Sequence, residues 1–244
     1  MTGPIDSQLE ILPDREALAR RATDWLSDIA LAARGEFRIS LSGGSTPQRL
    51  YELLAAPPYR DVFPWTRVQC FWGDERFVPK SDARSNYRMA REALLSRVPI
   101  PPANIHPIPT EGLTPEEAAL SYERTLQSHY GATALDPARP LFDVTLLGLG
   151  QDGHIASLFP GSEELLDRTR WVVAVTGVAP EPRISLTRPV LESSRHVAFL
   201  VAGGEKRAIL ERVRERDRAL PAARLEPAGT VRWFVDAEAA GAVG

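Results

Sequence analysis

Residues 37–54, FRISLSGGSTPQRLYELL, place a strand, a glycine turn and a helix in direct succession. Residues 37–41 alternate apolar and polar side chains, which predicts a β-strand. Pro47 suits the first turn of a helix, with Thr46 as its predicted cap, and we expect this helix to run through Leu54. A strand that passes through glycines into a helix is typical of α/β folds.

The same alternation continues on both sides of this segment. Further strands are predicted at residues 68–72, 142–147, 171–176, 184–186, 197–202 and 231–235, and further helices at 14–34, 85–97, 114–130 and 204–216. Strands that alternate with helices predict an α/β fold, with a mostly parallel, Rossmann-like sheet and helices on both of its faces. We expect one domain over residues 1–244, with the Pro-rich segment and its neighbours, 99–140, as a candidate small subdomain.

Composition excludes several classes of function. The chain has 244 residues, of which 43% are hydrophobic and 25% charged, with a net charge of −3. This balance gives no electrostatic reason to expect nucleic acid or a membrane as a partner. No apolar stretch approaches the ~20 residues of a membrane-spanning helix, and the first residues do not resemble a secretory signal. Cys70 is the only cysteine, which fits a reducing compartment, so we expect a cytoplasmic protein.

Four glycine-rich or polar segments each follow a predicted strand. Because ligands of parallel α/β sheets bind beyond the carboxyl ends of the strands, these segments are expected to form one site. They are residues 42–46 (SGGST), 73–76 (GDER), 148–154 (GLGQDGH) and 203–206 (GGEK).

The first and last of these segments suit an anion. Gly43 and Gly44 leave room for a close approach, and the amides and hydroxyls of Ser45 and Thr46 could hold a phosphate at the start of a helix. An ordinary strand-to-helix turn is the alternative. Lys206 is one of two lysines among 29 basic residues, and it lies where a helix dipole disfavours a cation. These features favour a contact between Lys206 and an anion over a solvated surface position.

Arg76, Arg183, Asp74 and Asn86 are further candidates for substrate binding. The Arg76 guanidinium could bind phosphate or could pair with Asp74 or Glu75. Arg183 opens a predicted strand and is a second candidate for the anion. The Asn86 amide could reach sugar hydroxyls, although a helix cap explains it equally well.

His154 is the candidate general base. It lies in a glycine-bearing turn directly after a buried strand, and a histidine there can be neutral near pH 7 and take a proton from water. Asp152, two residues before it, could orient the ring or bind a sugar hydroxyl. The other three histidines are most simply structural.

No nucleophile elbow or metal-ligand motif is present. Gly148, Gly150 and Gly153 have the spacing of a dinucleotide fingerprint, but the segment lies in the middle of the chain, so we expect no dinucleotide there. We therefore expect no metal and no cofactor.

Four segments in order closely resemble the family that unites glucosamine-6-phosphate deaminases with 6-phosphogluconolactonases, and its lactonase members most of all. They are LSGGSTPQRLYELL, FWGDERFVPKSDARSNYRMAREALL, LLGLGQDGHIASLFPGS and VAGGEK. The resemblance implies a fold like that of ribose-5-phosphate isomerase and hydrolysis of a sugar phosphate lactone. It implies a phosphate cradle at residues 43–46 with Arg76 and Lys206, and His154 as general base beside Asp152.

The alternatives are a deaminase and a non-catalytic sugar-phosphate sensor. Deaminases of the family typically continue the Asp-Gly-His turn with an acid, whereas here residues 155–160 read IASLFP. A sensor would normally carry a DNA-binding module, for which residues 1–13 offer no basic segment. The expected partner is a small sugar phosphate lactone, and the expected assembly is a monomer or a weak homo-oligomer. Whether Glu75 touches substrate or only holds Arg76 stays open at this point.

Overall fold

A six-stranded parallel sheet forms the centre of the computed structural model, which describes residues 9–242. Its strands lie in the order β1-β9-β8-β5-β2-β3. Every neighbouring pair in this sheet is parallel, so all six carboxyl ends lie along one edge. The strands are β1 (Leu9–Leu12), β2 (Phe37–Leu41), β3 (Val68–Trp72), β5 (Phe142–Leu147), β8 (Ser194–Val201) and β9 (Thr230–Asp236).

A second, antiparallel sheet has the order β4-β7-β6 and carries part of the site. Its strands are β4 (Asp74–Arg76), β6 (Val172–Val175) and β7 (Arg183–Leu186). The sequence predicts strands at β6 and β7. It does not predict that they form a separate antiparallel sheet instead of joining the parallel one. β4 and β1 are too short, and β4 too polar, for periodicity to identify them. β4 follows β3 after one residue, Gly73, and thereby joins the two sheets.

Nine α-helices lie between or after the strands in the described part of the chain. They are α1 (Arg15–Ala32), α2 (Ser45–Leu54), α3 (Tyr59–Val62), α4 (Asn86–Ala90), α5 (Pro115–Tyr130), α6 (Arg188–Glu192), α7 (Arg207–Arg214), α8 (Pro221–Arg224) and α9 (Ala237–Ala240). The helix predicted at 85–97 continues after α4 as one π-helical turn, Arg91–Leu95. Within residues 9–242, no helix combines the length and apolarity needed to cross a bilayer.

The cap predicted for α2 is wrong. Gly44, with φ 101°, occupies the cap position, and Thr46 lies inside the first turn. No side chain caps this helix end, so the first backbone N–H groups of α2 donate to no capping side chain. By contrast, the capping box predicted at Thr114 is confirmed, because Thr114 and Glu117 exchange their hydrogen bonds at the start of α5.

β5 shows that both faces of the central sheet are covered. Successive residues of a strand point to opposite faces, and Val144, Thr145, Leu146 and Leu147 are all at most 1% exposed. Full burial of a large apolar side chain contributes roughly 1.5–3 kcal/mol, so each apolar residue of this strand stabilises the core. The Pro-rich segment adds Ile100 and Ile108 to the same apolar cluster. The one-domain organisation and the candidate subdomain at 99–140 stay predictions.

The half-buried His106 is the clearest structural histidine. Its ring stacks on Phe71 with 4.7 Å between centroids, lies 4.1 Å from the ring of His129, and bonds Gln69 Oε1 at 2.7 Å. Burial, followed by repulsion from His129, lowers the pKa of His106 from 6.5 to about 4.

His106 should therefore weaken the protein in mild acid. Above pH 6.5 the ring is neutral in both states, and as pH falls the unfolded chain takes up the proton first, so stability is lost progressively down to about pH 4. Because the ring is only partly buried, we expect His106→Gln to reduce the loss of unfolding free energy between pH 7 and pH 4 by only about 1–2 kcal/mol. Urea unfolding at both pH values measures this, and identical losses in variant and wild type would contradict it.

Candidate active site

All four glycine-rich or polar segments meet at one cavity of about 680 Å³ at the carboxyl edge of the parallel sheet. This volume lies in the range of small-molecule sites. Every residue that the sequence analysis selected for the site contributes to its lining: Gly43, Gly44, Ser45, Thr46, Asp74, Arg76, Asn86, Asp152, His154, Arg183 and Lys206.

The turn between β2 and α2 is held by a buried tyrosine. The Tyr51 hydroxyl accepts from the backbone N–H of Ser42 at 3.0 Å and donates to its carbonyl at 2.9 Å. Tyr51 is fully buried, so this double contact fixes the turn from below. On the cavity side, a Cβ at Gly43 would lie 2.0 Å from Asn86 Oδ1. Only glycine allows this turn and the Asn86 side chain to come so close.

Two guanidinium groups face each other across the second sheet. Arg76 and Arg183 are register partners of the antiparallel β4–β7 pair. Burial, followed by repulsion from Arg76, lowers the pKa of the Arg183 guanidinium. The Nε atoms of both arginines are buried and have no hydrogen-bond partner in the described part of the chain. Arg183 also has a distant ion pair, 3.9 Å between Nη2 and Glu181 Oε1, and an anion in the cavity would compensate the two guanidinium groups further.

Glu75 lies outside the cavity, which answers the question left open by the sequence. Its carboxylate is 2% exposed and accepts from the backbone N–H groups of Arg76, Asn86 and Tyr87 and from the Ser85 hydroxyl. Burial raises its pKa, against the opposing effect of these hydrogen bonds. Glu75 therefore holds the backbone of Arg76 and the start of α4, while the Arg76 guanidinium donates to the Arg84 carbonyl at 2.6 Å.

Ser85, and not Asn86, caps α4. The Asn86 side-chain amide instead donates to the Asp74 carbonyl at 2.9 Å. Asp74 is 7% exposed, and its carboxylate accepts from the Ser157 hydroxyl at 2.6 Å. These contacts tie the segments after β3 and β5 together at the cavity wall.

The turn after β5 presents His154 beside Asp152. His154 Nδ1 lies 2.6 Å from Asp152 Oδ1, which also accepts from the His154 backbone N–H at 3.1 Å. Burial raises the pKa of Asp152, but these bonds and the attraction of the ring outweigh it and leave the pKa lowered. The ring covers Gly150, where a Cβ would lie 2.1 Å from Nδ1, and packs on Phe159 with 4.7 Å between centroids. No protein group within residues 9–242 bonds Nε2.

Lys206 reaches the cavity from a tighter turn than the sequence predicts. A 3₁₀ turn, Gly204–Lys206, precedes α7, and Lys206 is the last residue before that helix. Arg15, which was not among the residues predicted from the sequence, also lines the cavity. Arg15 is the first residue of α1, so the reasoning applied to Lys206, a cation where the dipole disfavours it, could have identified it.

No group of three or more His, Cys, Asp or Glu side chains in residues 9–242 is arranged to hold a metal ion. The cavity instead combines cations, helix-end amides and one histidine–carboxylate pair. This combination can bind an anion and accept a proton.

Comparison with known proteins identifies the family. Residues 13–233 match the family described as glucosamine-6-phosphate isomerases/6-phosphogluconolactonase. The chain is 42% identical over 238 residues to a Nostoc protein named 6-phosphogluconolactonase, covering 95% of this chain and 96% of the relative. The chain belongs to this family.

Other members of the glucosamine-6-phosphate isomerase/6-phosphogluconolactonase family give the same result. A Mycobacterium tuberculosis protein named 6-phosphogluconolactonase is 40% identical over 248 residues, covering 97% of this chain and 98% of the relative. The solved 6-phosphogluconolactonase from Trypanosoma cruzi superposes with a TM-score of 0.82 at 30% identity, covering 96% of each chain. A monomeric glucosamine-6-phosphate deaminase has the same TM-score of 0.82, at 19% identity and with coverage of 97% of this chain and 100% of that one. Its likeness supports the fold alone.

The three residues directly after the Asp-Gly-His turn bring no carboxylate to the cavity. Ile155 is fully buried and bonds Leu158, and Ala156, with φ 48°, lines the cavity. Ser157 is also fully buried, turned to Asp74. The segment after His154 thus closes the cavity wall without adding an acid.

Proposed function

We propose that the protein hydrolyses the lactone ring of 6-phospho-D-glucono-1,5-lactone to give 6-phospho-D-gluconate, the second step of the oxidative pentose phosphate pathway. One observation supports this function above all: the oriented His154 lies in the same cavity as the uncapped start of α2 and the cations Arg76, Arg183 and Lys206. The substrate has a dianion at one end and an ester at the other, and this cavity offers a partner for each.

The phosphate is bound by the α2 amides, the hydroxyls of Ser45 and Thr46, and the cations Arg76, Arg183 and Lys206. Three features support this end of the assignment: α2 lacks a side-chain cap, the two guanidinium groups have unpaired Nε atoms, and burial, followed by the repulsion between them, lowers the pKa of Arg183. A phosphate would supply acceptors to the amides and the guanidinium groups at once.

His154 acts as the general base. The carboxylate of Asp152 can only accept from Nδ1, so Nδ1 carries the proton and the free lone pair lies on Nε2. Asp152 thus orients the ring, and of the two roles considered for it, this one is favoured over binding a sugar hydroxyl. Nε2 takes a proton from water as the water oxygen attacks the lactone carbonyl, and the resulting imidazolium returns this proton to the departing ring oxygen. The products are a carboxylic acid, which ionises, and a hydroxyl.

The missing acid after His154 argues against a deaminase. A deaminase of this family would need that acid for ring opening, and Ala156 and Ser157 offer none at the cavity wall. The oriented histidine argues against a sensor that only binds sugar phosphates, because phosphate binding does not require a histidine–carboxylate pair.

The direct test is hydrolysis of freshly made 6-phosphoglucono-δ-lactone, followed by acid release with the spontaneous rate subtracted. Acceleration by the purified protein is expected, and no acceleration at any protein concentration would remove the assignment. Glucosamine 6-phosphate offered under the same conditions should release no ammonia.

Lys206→Ala should weaken substrate binding and leave the chemical step nearly intact. Loss of one charged contact to phosphate costs roughly 1.5–3 kcal/mol, so we expect KM to rise by about ten- to a hundredfold while kcat changes by less than about threefold. Steady-state kinetics with Lys206→Arg as a partial replacement measures this. Lys80→Ala is the matched control, because Lys80 is the only other lysine of the chain and lies outside the cavity. An unchanged KM in Lys206→Ala would contradict the phosphate contact.

Two expectations from the sequence remain predictions alongside this function. A monomer or weak homo-oligomer is tested by sedimentation velocity, and a cytoplasmic location by fractionation of the source cells.

A further inference from the structure

Asp236 is a buried carboxylate close to the site but outside its lining. It ends β9, one residue beyond the last pair of the β8–β9 ladder, Val201 with Val235. Its side chain is 3% exposed and bonds two segments at once. Both carboxylate oxygens lie 3.0 Å from the Gly203 backbone nitrogen, and Oδ1 also accepts from the Ala239 N–H at 2.9 Å.

The turn that Asp236 contacts is the one that carries Lys206. Gly203 is buried and has φ 100°, a conformation that side-chain-bearing residues rarely adopt. Its carbonyl accepts from the Lys206 N–H at 3.0 Å and so closes the 3₁₀ turn. If Asp236 were removed, the Gly203 N–H would be buried without a partner, and the turn would have to shift to reach water.

The other contact of Asp236 fixes the neighbouring part of the chain. Its bond to Ala239 caps α9, and Gly241 at the end of α9 packs against Arg207, the residue directly after Lys206. The Asp236 carboxylate therefore stabilises the chain on both sides of Lys206. It bonds Gly203 directly before the turn, and it caps α9, which packs against Arg207 directly after Lys206.

We propose that Asp236 is a positioning residue for phosphate binding: it holds the Gly203–Lys206 turn so that the Lys206 ammonium stays in the cavity. The inference rests on the proposed role of Lys206 as a phosphate contact. Asp236 touches neither substrate nor reacting atoms, so its loss should weaken anion binding through Lys206 and leave His154 in place.

The test is a double-mutant cycle read by calorimetric binding of 6-phosphogluconate and of inorganic phosphate. Asp236→Ala should raise both dissociation constants roughly tenfold, the loss expected when a hydrogen bond to a charged group disappears. In the Lys206→Ala background the same change should add less than about twofold, because the group through which Asp236 acts is gone. Asp236→Asn keeps an oxygen acceptor for Gly203 and Ala239, so binding should return to within about threefold of wild type.

Two controls separate positioning from general destabilisation. Thr114→Ala removes a cap from α5, which adds no residue to the cavity, and should lower the unfolding temperature without changing binding. Gly203→Ala disturbs the same turn from its other side, because φ 100° is strained for alanine and the new Cβ would meet the Glu205 carboxylate. It should reproduce the weaker binding even if Asp236→Ala folds poorly.

Three outcomes would overturn the proposal. They are unchanged binding in folded Asp236→Ala, an equal loss with and without Lys206, and failure of Asp236→Asn to restore binding. Binding is measured without turnover, so a wild-type protein that binds phosphate through Lys206 but does not hydrolyse the lactone would remove the proposed function and leave this inference standing.

Discussion

Replacing His154 with alanine is expected to lower kcat for lactone hydrolysis by about 10²–10⁴-fold, the range that a positioned general base contributes. The variant loses the imidazole that takes the proton from water, while the α2 end and the cations keep their geometry. Affinity for 6-phosphogluconate should therefore stay within about threefold of wild type. Initial rates at saturating lactone, corrected for spontaneous hydrolysis, and calorimetric binding of the product measure the two effects separately.

Two further variants define the role of the ring. Asp152→Asn offers Nδ1 an amide that can bond either tautomer, so we expect an intermediate loss of kcat rather than a loss as large as that of His154→Ala. His196→Gln is the matched histidine control, because His196 bonds Thr230 outside the cavity and should leave kcat unchanged. Full activity in His154→Ala would rule out the base role, and a parallel loss of product binding would assign His154 to binding.

The sequence predicts which segments meet at the cavity where one short segment contains the whole signal. The turn at 42–46 and the segment at 148–154 each follow a periodic, buried strand, and their glycines, serines and histidine are adjacent in the chain. The parallel sheet then brings these segments to one edge, because all carboxyl ends of its strands lie there. The local sequence pattern and a general rule of α/β topology are sufficient to predict that these segments meet.

The supporting contacts could not be predicted in this way. Tyr51 fixes Ser42 from the far end of α2, Ser157 bonds Asp74 across 83 residues, and Asp236 reaches Gly203 across 33 residues. Each of these side chains has an ordinary local context, and its role exists only through a long-range contact. The short strand β4 was missed for the same reason, since its pairing with β7 and not its own periodicity makes it a strand.

Glu75 shows most clearly how such a contact shapes the site. Oε1 accepts from the Arg76 and Asn86 N–H groups at 2.9 and 2.7 Å, and Oε2 from the Ser85 hydroxyl and the Tyr87 N–H at 3.0 and 2.8 Å. Backbone N–H groups donate to both oxygens, so only a carboxylate satisfies all of them. The same group thus sets the backbone under a proposed phosphate ligand, Arg76, and under the Asn86 amide at the cavity wall.

Glu75→Gln should therefore be strongly destabilising although it changes one atom. In its better orientation the amide NH₂ would face the buried Tyr87 N–H, which it cannot accept, and we expect the free energy of unfolding to fall by about 2 kcal/mol, the cost of leaving that donor without a partner. KM should rise as Arg76 and Asn86 move. Urea unfolding and steady-state kinetics at low temperature, where the variant stays folded, measure the two effects.

Glu117→Gln is the matched control for Glu75→Gln. Glu117 also accepts a backbone N–H at a helix start, from Thr114 at 2.8 Å, but it is exposed and lies outside the cavity. Water can satisfy the groups around an exposed amide, so this change should cost less than about 1 kcal/mol and leave KM unchanged. Equal losses of stability in the two variants would mean that burial of the four donors around Glu75 does not determine the effect. Wild-type KM in folded Glu75→Gln would show that Arg76 and Asn86 keep their positions without the carboxylate.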